Sequence, residues 1–515
     1  MAQLISLPSE ILREICLNLI LVTLFDVLFE YSIALADLDT AWHTYWSVLS
    51  AYSNSKVLSS SFVANISTLH NCARDRIDDI YWDISIHCCP LKFLLPLNLT
   101  CKRLHEVAEP LLWRLVQTDR NHAGLGVDLV RILHTVSMRP ELGRQVKALA
   151  ISQFDAESLI TTRFEPGEEL SMGRILQWED TYQVAALLDL LPNLRNLKLS
   201  LQSIPEHFSV FQPSAFYDSG FPLGLQNLTE FSLHWEDPGC ATVDAKILLP
   251  LFLLPSLRTL YLGNPITFAY EDEEYGGDEA STDFTRYYGM SKITDLVIDF
   301  GTVNEGAINE FLKLPAALER FSDSYERFDH RFEDPDIGMG QYFSALIPQK
   351  KSLRTLQIRQ YRNPRAKQHK SAPDPAILGY FARLTEFACP VRLLLFPNGH
   401  LGDENYKLGD VLPPNIHELT LFAWGDLTFE ELTDELKNFF SFGKKRYENL
   451  KKMTVEFWLD EQDFEFHDRN GADGEVTEEW KKEALGIINV TVESLKVHGA
   501  DKGVILEVKL ELGKS

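Results

Sequence analysis

Cysteine is scarce in this chain. Seven cysteines occur among 515 residues, and they are too few and too irregularly spaced for a disulfide framework. Disulfides persist in oxidising compartments, whereas cytosolic and nuclear proteins keep their thiols reduced. We therefore expect a cytoplasmic or nuclear protein. The cysteines are Cys16, Cys72, Cys88, Cys89, Cys101, Cys240 and Cys389.

Basic residues and long apolar runs are also in short supply. The chain has 49 lysines and arginines against 74 aspartates and glutamates, and its formal net charge is −25. Nucleic acids and anionic membranes repel so acidic a surface, so we expect neither as a partner. The apolar run from Ile15 to Leu35 is interrupted by Asn18, Asp26 and Glu30. It predicts no membrane span, and no basic segment precedes an apolar core as in a secretory signal.

Motifs for catalysis and metal binding are lacking too. The sequence has no phosphate-binding G-x-x-x-x-G-K-[ST], no dinucleotide-binding G-x-G-x-x-G and no G-x-S-x-G. Residues 468–479 resemble a calcium loop, but Ala472 and Asp473 stand where a ligand and a glycine are needed. The pair Cys88–Cys89 has no second cysteine or histidine pair near it. We predict a non-catalytic protein with no metal and no cofactor.

What the chain does contain begins with two helical patterns. In the first, Pro8 suits an initial helical turn, and apolar residues recur on one face at Ile11, Leu12, Ile15 and Leu19. In the second, the apolar face is formed by Leu97, Cys101, Leu104 and Ala108. Glu109–Pro110 is predicted to end that helix and open another, because proline disfavours helix in the residue before it. The apolar cluster Leu111, Leu112 and Trp113 follows.

Joined, the two patterns resemble the F-box, a module of three short helices. The resemblance lies in "LPSEILREICLNL" and in "PLKFLLPLNLTCKRLHEVAEPLLWRLV", whose last part is especially similar to fungal members. It implies docking on the Skp-type adaptor, and through it on the cullin, of SCF ubiquitin ligases. The positions that would contact the adaptor, or support that contact, are Leu7, Pro8, Ile11, Leu12, Ile15, Leu99, Cys101, Leu104, Leu111, Leu112 and Trp113.

Residues 20–89 separate the two halves of this module, which are nearly contiguous in the family. The segment is rich in aromatic residues, poor in lysine and arginine, and has no sustained helical or strand period. Two explanations remain open: an insertion that packs at the edge of the F-box, or translated intron sequence. Closing a long flexible loop costs only a few kcal/mol, roughly, so the F-box could survive either.

The rest of the chain repeats a short apolar pattern. After a helix striped by Leu129, Ile132, Leu133 and Val136, a strand is predicted at 146–151. The spacing apolar-x-x-apolar-x-apolar then recurs roughly every 25 to 42 residues. Its copies are Leu194/Leu197/Leu199, Leu228/Phe231/Leu233, Leu257/Leu260/Leu262, Ile293/Leu296/Ile298, Leu353/Leu356/Ile358, Ile416/Leu419/Leu421, Leu450/Met453/Val455 and Val492/Leu495/Val497, with weaker ones at Leu318/Phe321 and Leu384/Phe387.

A strand preceded by a helix and repeated along the chain is the signature of leucine-rich repeats. The predicted architecture is therefore α + α/β: F-box helix 1–19, insertion 20–89, the rest of the F-box 90–117, and an irregular leucine-rich-repeat solenoid 118–510. Apolar strand residues would form the core, because each repeat buries its apolar face only against its neighbours. Residues between them would line the face that binds partners. Candidates are Arg195, Lys198, Arg258, Tyr261, Arg354 and Gln357.

Two functions follow from the resemblance and the repeats. The first is the substrate-receptor subunit of an SCF-type ligase, in which the F-box binds the adaptor and the repeats bind a target protein. The second is an interaction scaffold whose F-box is degenerate or broken by residues 20–89. Assembly with the adaptor distinguishes them.

Overall fold

The structure is a computed structural model of the chain. It describes residues 102–118, 129–154, 180–201, 223–235, 242–263, 267–269, 284–299, 302–303, 305–325, 339–360, 375–395, 407–424, 429–443, 446–459 and 478–512. The chain divides into two units, Met1–Val116 and Gln117–Ser515. Seven adaptor-contact candidates lie outside the described residues, namely Leu7, Pro8, Ile11, Leu12, Ile15, Leu99 and Cys101. Three other predicted features also lie outside the described residues: the segment 20–89, the pair Cys88–Cys89 within it, and residues 468–477 of the calcium-like loop.

The α-helices are α1 Lys102–Leu112, α2 Leu129–Met138, α3 Pro140–Gly143, α4 Asp180–Asp189, α5 Leu223–Gln226, α6 Leu249–Phe252, α7 Glu305–Lys313, α8 Met339–Leu346, α9 Val391–Leu395, α10 Leu408–Val411, α11 Phe429–Asn438 and α12 Glu478–Asp501. The strands are β1 Leu115–Thr118, β2 Ala148–Phe154, β3 Asn196–Leu201, β4 Glu230–Trp235, β5 Thr242–Asp244, β6 Thr259–Gly263, β7 Thr267–Ala269, β8 Asp295–Asp299, β9 Thr302–Val303, β10 Arg320–Tyr325, β11 Thr355–Gln360, β12 Glu386–Pro390, β13 Glu418–Trp424, β14 Lys452–Leu459 and β15 Ile505–Leu512.

Twelve strands form one sheet, in the order β1-β2-β3-β4-β6-β8-β10-β11-β12-β13-β14-β15. Every pairing from β2 to β15 is parallel. A parallel sheet needs crossover connections, and α-helices or 3-10 helices precede many of its strands along the chain. The coarse prediction of an α/β array is confirmed. The three short strands β5, β7 and β9 form a second parallel sheet.

Alternate strand residues build the core of the large sheet. Leu197, Phe231 and Leu260 are register partners on successive strands and are fully or almost fully buried. Leu199 and Leu233 form a second buried row two residues further on. This row-by-row burial follows from the side-chain period of two in a strand. Each buried leucine or phenylalanine contributes about 2 kcal/mol.

The two weak copies of the pattern lack an apolar third residue, and the structure shows what replaces it. Asp323 stands in register between Ile298 and Ile358 and is 1% exposed. Cys389 takes the equivalent place on β12 and is fully buried, which raises the pKa of its thiol. The repeats at β10 and β12 therefore keep the same geometry with an aspartate and a cysteine, respectively, in the inner row.

Hydrogen bonds between successive turns link the repeats ahead of each strand. The backbone N–H of Thr229 donates to the Arg195 carbonyl at 2.7 Å, and the N–H of Arg258 donates to the Thr229 carbonyl at 2.8 Å. Asparagine side chains support the same turns: Asn193 Nδ2 donates to the Arg144 carbonyl and Asn227 Nδ2 to the Pro192 carbonyl, both at 2.8 Å. Each turn thus satisfies backbone groups of the one before it.

The last predicted copy, Val492/Leu495/Val497, is wrong as a strand. These residues lie in helix α12, where Val492 and Leu495 are buried and Val497 is 63% exposed. A spacing of three residues fits a helix face as well as the repeat pattern. The final strand is β15, which follows Gly503 in the left-handed conformation (φ 71°) that ends many helices.

The predicted break at Glu109–Pro110 is also wrong. Helix α1 runs through Pro110 to Leu112, and Trp113 N–H donates to the Glu109 carbonyl at 3.1 Å. The proline lies in the last turn of the helix. The helix therefore continues through Pro110 without the hydrogen bond that an N–H at this position would donate to the carbonyl four residues earlier.

The helix predicted ahead of the first strand is confirmed. The stripe Ile132, Leu133 and Val136 is buried on α2, and the helix ends before Pro140 as the sequence indicates. On α4 the buried residues include Val184, Leu187 and Leu188. Among the described residues, no helix is long and apolar enough to cross a membrane.

Candidate functional site

The outer face of the large sheet is the candidate site. It is formed by the residues that alternate with the buried rows, and many of them are half-exposed. We call this surface the open face. Its middle row contains Lys198, Ser232, Tyr261, Val297, Ser322, Gln357, Ala388, Thr420, Thr454 and Glu507, which are register partners from β3 to β15.

Three of the six predicted face residues lie in this row: Lys198, Tyr261 and Gln357. The three arginines instead occupy the turns that precede the strands. Arg258 donates from Nη1 to the Lys292 carbonyl at 2.9 Å, and Arg354 Nε lies 3.7 Å from Glu319 Oε2. Arg195 contributes its backbone carbonyl to the turn that follows. The arginines thus border the open face and link neighbouring turns.

A polar cluster occupies the open face from β4 to β10. The rings of His234 and Tyr261 stack with centroids 4.9 Å apart. The Tyr261 hydroxyl donates to Asp299 Oδ2, and the Ser324 hydroxyl donates to Asp299 Oδ1. Ser232 Oγ lies 2.7 Å from His234 Nε2. Four strands are thereby joined through their side chains.

Glycine is required at the centre of this cluster. Gly263 lies beside the stacked rings, and a Cβ built on it would be 2.6 Å from Tyr261 Cε1 and 2.8 Å from His234 Nδ1. Real Cβ atoms do not approach other heavy atoms so closely. The missing side chain at this position therefore gives the two rings room to stack.

His234 is held in its neutral form. Burial, with a smaller contribution from the Lys198 ammonium, lowers its pKa from 6.5 to about 3. The Ser232–His234 distance is that of a nucleophile and its base, but a general base works best with a pKa near the operating pH. Such a histidine is a poor base at neutral pH. The cluster is therefore better suited to recognition than to nucleophilic catalysis.

A charged cluster occupies the open face from β11 to β15. Glu456 is its centre: Oε2 lies 3.3 Å from Arg359 Nη2, and Oε1 lies 2.8 Å from Lys509 Nζ. The Arg359 guanidinium lies over the Phe422 ring, 5.3 Å from its centroid. An arginine on an aromatic face gains roughly 0.5–1 kcal/mol from the cation–π interaction. Arg359 is thereby fixed across three strands.

Next to this cluster the open face has a depression of about 220 Å³. It is lined on β11 by Thr355, Gln357 and Arg359, on β12 by Glu386 and Ala388, on β13 by Glu418, Thr420 and Phe422, and on β14 by Glu456. Ala388 is the register partner of both Gln357 and Thr420. Its small side chain leaves the space between the longer side chains on either side.

The adaptor-contact candidates that the structure describes lie on α1 or directly after it. Leu104 and Leu111 belong to this helix, and the side chains of Leu112 and Trp113 are half-buried. His105 Nε2 lies 3.5 Å from Glu109 Oε2, one helical turn away. Lys102 and Glu106 form the exposed side of the helix, where their charged atoms are 3.9 Å apart.

Sequence reasoning missed His234, Asp299, Arg359 and Glu456. Each lies two residues beyond the middle row on its strand, so the repeat pattern contained a usable signal. Which of them meet depends on the strand register. Arg359 and Glu456 are far apart in the sequence, and only the order β11-β12-β13-β14 brings them together.

Within the described ranges, no group of three or more histidine, cysteine, aspartate or glutamate side chains is placed to hold a metal ion. No protein-family model matches the sequence, and no curated protein matches it significantly.

Proposed function

We propose that this protein is a substrate-receptor subunit of an SCF-type cullin–RING ubiquitin ligase. In this proposal the F-box comprises residues 1–19 and 90–117, and it docks on a Skp-type adaptor. The array from residue 118 to 510 is an irregular leucine-rich-repeat solenoid that holds the target protein. Ubiquitin transfer is then promoted by proximity, because binding raises the effective concentration of a target lysine near the ubiquitin-loaded enzyme.

The observation that carries the proposal is the combination of two features in one chain. The segment "KRLHEVAEPLL", which belongs to the last part of the F-box resemblance, forms an amphipathic helix that exposes Lys102 and Glu106. It precedes a parallel sheet whose strands follow one another in chain order and whose outer face is polar. A short helical module for an adaptor, followed by a long surface for a target, is the arrangement that a substrate receptor needs.

The test is co-purification of the Skp-type adaptor with the full chain and with a chain that lacks residues 20–89. If both bind, the F-box works and the insertion is tolerated. If only the shortened chain binds, residues 20–89 block the module or are not part of the mature protein, and transcript reads across them decide between these two. If neither binds, the ligase proposal is refuted, and the scaffold that binds partners through its repeats takes its place.

Point variants make this test specific. Leu112→Asp places a charge on the half-buried side of α1, and Leu12→Asp places one on the apolar face expected for the first predicted helix. We expect each to reduce adaptor binding at least tenfold, because an aspartate at an apolar contact loses burial and must be desolvated. Lys102→Asp is the matched control, since this side chain is 90% exposed. Full adaptor binding by both leucine variants would contradict the proposal.

A further inference from the structure

The depression on β11–β14 has two ends of different character. At one end Glu456 is already neutralised, because it contacts both Arg359 and Lys509. Phe422 packs under Arg359 and is itself buried. This end therefore offers a fixed wall in which the one carboxylate already has two basic partners.

The other end of the depression carries two carboxylates. Glu386 and Glu418 are register partners on β12 and β13, and both are exposed. Thr355 Oγ1 donates to Glu386 Oε2 at 3.1 Å. Within the part of the chain that the structure describes, neither carboxylate forms an ion pair. Lys452 is the register partner of Glu418, but its ammonium lies 3.1 Å from Glu507 Oε2.

Like charges directly opposite each other on neighbouring strands destabilise a sheet. The other acidic groups of the open face have closer compensation: Asp295 lies 3.5 Å from Arg320 Nε, and Asp299 accepts two hydroxyl hydrogen bonds. Glu386 and Glu418 are an exception, and they stand at the rim of the depression. A cation between them would relieve the repulsion and enter the space above Ala388.

We propose that this depression binds a basic side chain, an arginine or a lysine, on an exposed segment of the protein held by the repeats. The proposal rests on the proposed function in that it identifies the chemistry of the target. A guanidinium has five donors and bridges two carboxylates. Gln357 and Thr420 provide further polar groups on the floor. The depression is open to solvent, which suits a protruding side chain of a macromolecule better than an enclosed small molecule.

The charge of the whole protein adds to this selectivity. A net charge of −25 attracts basic partners over distance and raises their association rate. That attraction is not specific to one site. An experiment must therefore separate the depression from the general field, and this requires a control with the same change in net charge.

The probe is a fluorescein-labelled octa-arginine peptide, with octa-glutamate as the negative probe, and binding to the full chain is measured by fluorescence anisotropy. The site variant is Glu386→Gln/Glu418→Gln. The matched control is Asp434→Asn/Glu493→Gln. Its two carboxylates are exposed on α11 and α12, and each lies close to a lysine one turn away. Both double variants change the net charge equally.

We expect the site variant to bind octa-arginine at least tenfold more weakly than the original protein, and the control to change the dissociation constant less than about twofold. Equal loss in both variants would overturn the proposal, since general attraction would then explain binding. Unchanged binding by the site variant would overturn it as well. Adaptor co-purification with the same variants distinguishes the two proposals. If the adaptor still binds but the site variant has no effect on octa-arginine binding, only the proposal of a basic side chain in the depression is refuted. If the site variant weakens octa-arginine binding but the adaptor does not bind, only the ligase function is refuted.

Discussion

Substitution of His234 tests the polar cluster most directly. In the folded protein its pKa is about 3, lowered from 6.5 by burial and by Lys198. The unfolded chain therefore binds a proton on this side chain at pH values where the folded chain does not. Stability is then fully present above the unfolded pKa and is lost as the pH falls below it.

The size of the loss follows from the two pKa values. Between pH 7 and pH 5, a histidine with an unfolded pKa of 6.5 and a folded pKa of about 3 costs about 2 kcal/mol of stability. His234→Gln keeps a hydrogen-bonding side chain beside Ser232 and cannot titrate. We expect the variant to lack this part of the acid sensitivity around β4 and β6.

Two measurements check the prediction in the full chain. Hydrogen exchange of peptides that cover β4 and β6 compares local opening in the original protein and the variant at the same pH, so that intrinsic exchange rates nearly cancel. NMR of ¹³Cε1-labelled histidine, of which the chain has 14, identifies the His234 signal by its loss in the variant. His498→Gln, on the exposed part of α12, is the matched control. A His234 signal that titrates near pH 6.5, or equal acid sensitivity in the original protein and the variant, would refute the reasoning.

Two further substitutions test the links between repeats. Gln349 is 2% exposed, accepts a hydrogen bond from Leu318 N–H and donates to the carbonyls of Leu312 and Pro315, all at 2.9 Å. Gln349→Leu should destabilise the array by about 3–5 kcal/mol in urea unfolding, because three buried backbone groups lose their partner, whereas the exposed Gln145→Leu should change stability by less than about 0.5 kcal/mol. Burial raises the pKa of Glu435 above 4.5, although Leu408 N–H donates to its Oε1 at 2.6 Å. The folded state therefore holds this proton more tightly, and stability falls as the pH rises through the folded pKa. Glu435→Gln should then be slightly more stable than the original protein at pH 7, by less than about 1 kcal/mol, and the gain should vanish below pH 4.5; a gain that persists in acid would contradict this explanation.

Much of the fold could be predicted because each repeat has apolar residues at the same spacing. Leu197, Leu260 and Leu296 each fall two residues before a second buried apolar residue, and all three are buried in the sheet. The pattern fails where a helix satisfies the same spacing, as at Val492 and Leu495. A local pattern cannot separate the two there, because burial on a helix face and burial on a strand both select apolar side chains.

The candidate site was less accessible to sequence reasoning, because its geometry depends on strand register. Tyr261 and Gln357 could be placed on the open face from their position between apolar residues. The contact of Tyr261 with Asp299 depends on β6 and β8 being neighbours, and the stacking of Tyr261 on His234 depends on a glycine beside the two rings. Those facts belong to the stacking of repeats and leave no signal within any one repeat.

The two charged parts of the open face differ in how their side chains interact with neighbouring repeats. Polar residues that stabilise the array should be satisfied by other repeats, since a partly satisfied buried network is costly. Glu456, Asp299 and Gln349 meet this condition through hydrogen bonds or ion pairs to neighbouring repeats. Glu386 accepts one hydrogen bond, from Thr355, but it directly opposes Glu418, so the placement of the two carboxylates adds repulsion to the folded chain. A group that weakens its own fold while facing a depression is better explained by what it binds than by what it stabilises, and this is why the basic partner is assigned to β12 and β13.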